Sequence, residues 1–307
     1  STWRTIGSTL ANMVIGVATP MVAYVVVDGK TVMSGSRMTI IAGVFSICAI
    51  LCYIVCFKLT RERVEVPASS QKVSASAIFK SIFTNRALLG IIVAAIFVLL
   101  SQLTVMSLAG YVYPNVYGSA AAQSTASLLG TVVMLIVCAP FASKLAAKFG
   151  KKELAVASSI CSALVWLVCL IWRPASVWGF VACYILANIG MGFFNTIIWA
   201  MITDVIDDAE VRSGIREDGT IYSVYSFARK LGQAFSSGLV GALLGIIGYT
   251  EATAFDPAVT RGIFNMACIA PIIGFVCIVL ALVFLYPLNK KKVEENVAAL
   301  AARRNSK

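Results

Sequence analysis

The stretch ALLGIIVAAIFVLLSQLTVMSLAGYVYPNVYGSAAAQSTASLLGTVVMLIVCAPFAS, residues 87–143, contains no charged side chain. About 20 apolar residues cross the hydrocarbon core of a bilayer, so this run is too long for one crossing. Its polar, aromatic break, YVYPNVYGS at 111–119, divides it into two. Long uncharged runs of this kind define a polytopic α-helical membrane protein. A transmembrane β-barrel would need short alternating segments instead, and the sequence has none. Composition agrees: 59% of the 307 residues are hydrophobic and 13% charged, against about 45–50% and about 25% in soluble domains.

Working outward, eight spans are expected, at about 6–27, 38–57, two within 87–143, 154–172, 177–202, 220–249 and 262–286. The net charge of +11 follows their connections. Six Lys/Arg lie between Lys58 and Arg86, four in KLAAKFGKK (Lys144, Lys148, Lys151, Lys152), and six in the tail from residue 288. The opposite connections carry only Lys30, Arg37, Arg173 and Arg261. By the positive-inside rule both termini are cytoplasmic. Trp172 and Trp178, with Tyr111, Tyr113 and Tyr117, suit the interfacial aromatic belt. The basic balance therefore reflects the lipid bilayer and not a nucleic-acid partner.

The connector 58–86 separates two spans (1–57) from six (87–287), followed by a basic tail (288–307). Within it Ile78, Phe79, Ile82 and Phe83 share one helical face, as in a helix lying on the membrane surface. The chain begins STWRTIG without methionine or a signal peptide, and a fragment or processed chain is expected. Cys48, Cys52 and Cys56 repeat at i, i+4; they read as small packing residues before a soft-metal site. The absence of histidine removes His relays and every Ser-His or Cys-His pair.

Three constellations carry chemistry. In TIYSVYSFARKLGQAF, residues 220–235, Tyr222, Ser226, Lys230, Gln233 and Ser237 form one polar stripe. Arg229 lies about 100° away, toward Tyr225. Lys230 is ten residues from Thr220, about 15 Å along the helix and near the midplane. A charge there costs about 2.5–3.5 kcal/mol on insertion scales, so a wet, substrate-lining cavity is expected. A structural ion pair is the competing reading. Asn195 and Trp199 could line the same cavity or serve packing. The second constellation is the acidic run TDVIDDAEVRSGIREDG, 203–219, read as a solvated loop with local pairs to Arg212 and Arg216, or as a gate. The third, Ser237, Gly241 and Gly245 at small-xxx-small spacing, is read as helix packing.

The block WAMITDVIDDAEVRSGIREDGTIYSVYSFARKLGQAFSSG, 199–238, resembles the glycoside–pentoside–hexuronide:cation symporters, the melibiose-carrier type of the major facilitator fold. The similarity extends over the whole chain, with this block its distinctive part. The resemblance implies an all-α integral membrane protein of eight transmembrane helices, corresponding to helices five to twelve of twelve. Two would close the N-terminal bundle and six would form the C-terminal one. It implies no enzyme activity but secondary active transport across a bacterial cytoplasmic membrane. The partners would be a sugar or glycoside and a coupling Na⁺ or H⁺, with no other cofactor, and the carrier would act as a monomer. By the same resemblance Lys230, Arg229, Tyr225 and Ser226 face the sugar, Arg4 contacts it, and Asp204, Asp207, Glu210 and Arg216 form a cytoplasmic ion-pair gate. Asn195 stands at a tryptophan position, and Asp208 where many members have tyrosine. The cation-binding carboxylates are expected on helices two and four, outside this chain. A carrier of another organic solute such as a lipid, a membrane-embedded enzyme and a non-transporting remnant are the alternatives.

Overall fold

The computed structural model describes residues 7, 11, 24–27, 30–33, 35–60, 85–216, 218–250 and 252–305. The chain divides into two compact units, Ser1–Lys72 and Val73–Lys307. Arg4 and the surface helix expected around Ile78–Phe83 lie outside the described residues.

In the first unit, β1 (Tyr24–Val27) pairs antiparallel with β2 (Lys30–Met33), Val27 opposite Lys30. This corrects the expected first span, whose last four residues are strand. The reason is local: three consecutive valines stiffen the chain toward β geometry. They precede Asp28-Gly29, the dipeptide favoured by two-residue hairpins. Helix α1 (Gly35–Leu59) follows, 25 residues with none buried. Its surface includes Ile40, Ile47, Tyr53 and Phe57 together with Cys48, Cys52 and Cys56. The Thr39 and Ser46 hydroxyls donate to the carbonyls of Gly35 and Ala42 at 3.1 and 2.7 Å. These polar groups thus need no partner beyond the helix.

The second unit is an all-helical bundle. Helix α2 (Arg86–Tyr111) runs into a π-helical turn, Val112–Val116. Helix α3 (Ala120–Val133) passes through a second π turn into α4 (Ala139–Phe149). Then come α5 (Lys151–Trp172), α6 (Val177–Ser213), α7 (Asp218–Ile246), α8 (Pro257–Leu280) with a terminal π turn, and α9 (Lys290–Asn305). The broadest packing joins α2 to α7 and α8, and α5 to α6 and α8.

Five helices among the described residues are long and apolar enough to cross a membrane: α1, α2, α5, α6 and α8. The α3–α4 pair, bent by 47°, makes a sixth if taken as one broken span. Pro140 in the first turn of α4 lies at that bend. The chain is thus a multi-pass α-helical membrane protein; among the described residues fewer helices qualify than the eight expected, and most of the first expected span lies outside them. Helix α7 has the length, 29 residues, but its polar stripe keeps it out of this set.

Two connections are shorter than expected. KLAAKFGKK is helical except at Gly150, whose φ of 107° turns the chain directly from α4 into α5. The acidic run continues α6 to Ser213, where Gly214 caps it at φ 74°. At 37 residues α6 measures about 55 Å, well beyond the roughly 30 Å core. Its last three turns therefore project from the bilayer.

Close approaches occur at glycines other than those anticipated. A Cβ on Gly190 of α6 would collide with the Ser158 carbonyl of α5; one on Gly232 of α7 would lie 2.9 Å from the Ile96 carbonyl of α2. Gly241 and Gly245 have nothing within 4 Å. The small-residue stripe at 237–245 therefore faces open space in this unit, because the buried face of α7 runs through Tyr225, Ala228, Gly232 and Ser236.

Candidate functional site

Helices α6, α7 and α2 bring four of the expected site residues together. Tyr225 is fully buried and meets Trp199 of α6 edge to face, ring centroids 5.4 Å apart. Arg229, one turn after Tyr225, lays its guanidinium over both rings, 5.3 Å from Trp199 and 5.8 Å from Tyr225. Its Nη1 donates to the Tyr225 hydroxyl at 3.4 Å. One turn back on α6, Asn195 Nδ2 donates to Gln102 Oε1 of α2 at 3.4 Å. Gln102 was not among the residues the sequence singled out. Deeper between α2 and α7, the Thr104 and Ser236 hydroxyls are 3.3 Å apart and buried.

The same geometry separates the adjacent cations. Arg229 is half-buried against the aromatic pair, whereas Lys230 is exposed. Ser226 and Ser237 are exposed with Lys230, and Gln233 is half-buried. The stripe borders the face of α7 that packs on α2 but does not enter it. Among the described residues neither Arg229 nor Lys230 is ion-paired with a carboxylate.

The acidic constellation is a built cluster at one end of the bundle. Asp204 and Asp208 are 5% and 2% exposed, which corrects the expectation of a solvated loop. Asp204 accepts from Lys151 Nζ at 2.6 Å. Asp208 pairs with Arg212 and accepts from Asn296 of α9 at 3.0 Å. Helices α5 and α9 close over these carboxylates, which is why they are buried. Arg216 lies beyond the end of α6 and reaches Asp207 at 3.0 Å, Glu210 at 2.8 Å and Asp218 at 2.8 Å. Burial pulls its pKa down, but hydrogen bonds to Glu210, Asp218 and Asp207 outweigh this and hold it above the usual arginine range. Arg303 of α9 donates to the carbonyls of Glu210 and Val211, at 3.3 and 3.0 Å. A cation there satisfies last-turn acceptors and complements the helix dipole.

The model of the MFS/sugar transport protein family matches residues 1–290. The chain belongs to this family. Its members are membrane transporters of the glycoside–pentoside–hexuronide type, not enzymes. The chain is 28% identical over 264 residues to the glucuronide carrier protein homolog of Escherichia coli, covering 85% of this chain and 56% of that protein. It is 29% identical over 297 residues to the uncharacterized symporter YjmB of Bacillus subtilis, covering 95% and 62%. To the putative sulfoquinovose importer of Salmonella typhimurium it is 27% identical over 308 residues, covering 99% and 63%. The chain thus spans less than two thirds of the length of these relatives.

In this sugar-transport family member, the residues that sequence reasoning missed all act across helices. Gln102, Lys151, Asn296 and Arg303 meet their partners from 53 to 93 positions away. No spacing rule along one helix reports such contacts. Arg212 and Asp208, at i, i+4, are the kind of pair that spacing does report.

Proposed function

We propose that the chain works within a secondary active transporter, a symporter that couples a sugar or glycoside to Na⁺ or H⁺ by alternating access. The observation that carries this reading is the polar and aromatic wall on α6 and α7. Arg229 is held on Trp199 and Tyr225, and Lys230, Ser226 and Gln233 present donors beside it. Donors over aromatic surface suit a hydroxyl-rich ligand. Two cations in no described ion pair suit one that also bears an acid. Relatives named for a glucuronide and for sulfoquinovose support that chemistry. Lys230 links sugar and cation, and Arg229, Tyr225, Asn195, Trp199 and Arg4 complete the sugar site. The cation's carboxylates lie outside these 307 residues, and the whole carrier is a monomer of the bacterial cytoplasmic membrane. The cluster of Asp204, Asp207, Glu210 and Arg216 forms the cytoplasmic gate, closed when its ion pairs hold and released when they part.

The test is Lys230→Ala in the full-length carrier. Cation-coupled uptake into vesicles is expected to be abolished while the protein stays in the membrane; undiminished uptake overturns the role of Lys230. A second reading, a carrier of lipids, draws on an apolar cavity of about 340 Å³ between α2, α7 and α8, lined in part by Phe97, Leu239, Met266 and Ile273. Counterflow with labelled glycosides against lysolipids separates the two.

A further inference from the structure

At the end of the bundle opposite the ion-pair cluster, the π turn after α2, the α5–α6 connection and the start of α8 border an open, shallow cavity of about 340 Å³. Volumes of about 300–1,000 Å³ are typical of small-ligand sites. Its lining includes Tyr117, Arg173, Pro174, Pro257, Arg261 and Phe264. We infer that this cavity is a second binding site, which takes an oxyanion carried on a small polyol at the membrane surface. It is separate from the α6–α7 wall and does not depend on what the carrier transports.

Two cations converge here. Arg173 caps α5 with φ 46°, the one described non-glycine residue at positive φ. That conformation is uncommon for a residue with a Cβ. It sends the side chain across to α8, where Nη2 donates to Asn265 Oδ1 at 3.1 Å. Asn265 stands one turn beyond Arg261 on α8, and Arg173 and Arg261 both line the cavity. Among the described residues neither is ion-paired with a carboxylate. The carboxylate of Asp256, at the N-cap of α8, makes no capping hydrogen bond and is exposed. Both arginines are exposed at this cavity, and an oxyanion bound between them would be offered charge-assisted hydrogen bonds by both forks.

The floor is rigid and aromatic. Phe180 is buried and contacts Tyr117 and Phe264, centroids 5.6 and 5.9 Å away. The Tyr117 hydroxyl donates to the Pro174 carbonyl at 3.0 Å, which fixes the turn that carries Arg173. Aromatic faces beneath paired cations match a polyol with one acidic end. The exposed indoles of Trp172 and Trp178 flank the connection, the side chains that mark headgroup depth. The phosphoglycerol headgroup of an anionic lipid and a free glycerol phosphate share this chemistry.

The test uses the purified full-length carrier in phosphatidylcholine nanodiscs. One arm adds phosphatidylglycerol and counts retained lipid by native mass spectrometry; the other titrates glycerol 1-phosphate or glycerol 2-phosphate and follows tryptophan fluorescence. Saturable binding is expected in at least one arm. Arg261→Gln and Arg173→Gln should each weaken it about tenfold, the effect of losing one charged hydrogen bond, with thermal melts confirming the fold. Lys291→Gln, exposed at the opposite end of the bundle, should leave it unchanged. Retention of phosphatidylglycerol alone assigns the site to lipid, and a response to the soluble acids alone assigns it to a free ligand. The proposal is overturned if neither arm binds, if both arginine variants bind like the parent, or if Lys291→Gln removes the signal.

Discussion

Arg229 and Lys230 are neighbours in sequence with opposite surroundings, because one residue turns a helix by about 100°. That step carries Arg229 onto the Trp199 and Tyr225 rings and leaves Lys230 on the exposed stripe. A guanidinium over an aromatic ring contributes about 0.5–2 kcal/mol. Trp199→Ala in the full-length carrier is therefore expected to weaken half-saturation in substrate counterflow by roughly 2- to 30-fold. Trp199→Phe should retain most of the affinity. The i, i+4 relation of Tyr225 to Arg229 is readable from sequence; the ring of Trp199 is not, since it arrives from another helix.

Helix packing depends on which small residues meet a neighbour. Gly232 sits against the backbone of Ile96 and the side chain of Leu99, with an added Cβ only 2.9 Å from the Ile96 carbonyl oxygen. Backbone cannot yield as a flexible side chain can, and overpacking costs about 1–3 kcal/mol. Gly232→Ala should lower the thermal midpoint in detergent by several degrees, read by circular dichroism. Gly241→Ala should leave it unchanged or slightly raised, since nothing lies within 4 Å and alanine is the better helix former. Spacing marked Gly241 and Gly245, whereas the close approach within this unit is at Gly232: small-xxx-small identifies a face, while contact with α2 identifies the face that packs here. Helix α9 teaches the same lesson. Its composition reads as a basic tail, yet Asn296 and Leu300 are buried, and Asn296 and Arg303 bond to the end of α6.

For the whole molecule, charge placement decides orientation. Helix α5 separates two ends of the bundle. Lys151 and the cluster of Asp204, Asp207, Glu210 and Arg216 lie at one, and Arg173 and Arg261 at the other. On the positive-inside rule we propose that the first end faces the cytoplasm. In right-side-out vesicles, a membrane-impermeant maleimide should therefore label Phe255→Cys and spare Lys291→Cys, with the reverse in inverted vesicles. Labelling of Lys291→Cys from outside would overturn the orientation. Exposed native cysteines such as Cys48, Cys52 and Cys161 lie within apolar helices and should react weakly with a charged reagent.

The sequence by itself determined the class, the positions of most helices and the polar stripe of α7. Each follows from periodicity and from the cost of placing charge in hydrocarbon, and both are local properties of the chain. It misplaced the end of the first span and took the acidic run for a loop, because a hairpin dipeptide and a helix of i, i+4 pairs compete with hydropathy in deciding boundaries. Only the tertiary structure decided that Arg229 rests on Trp199, that Asp204 and Asp208 are buried, that Gly232 packs, and that Arg173 and Arg261 share one cavity. These depend on contacts between helices far apart in the chain, and no repeat along a single helix encodes which neighbour it will meet.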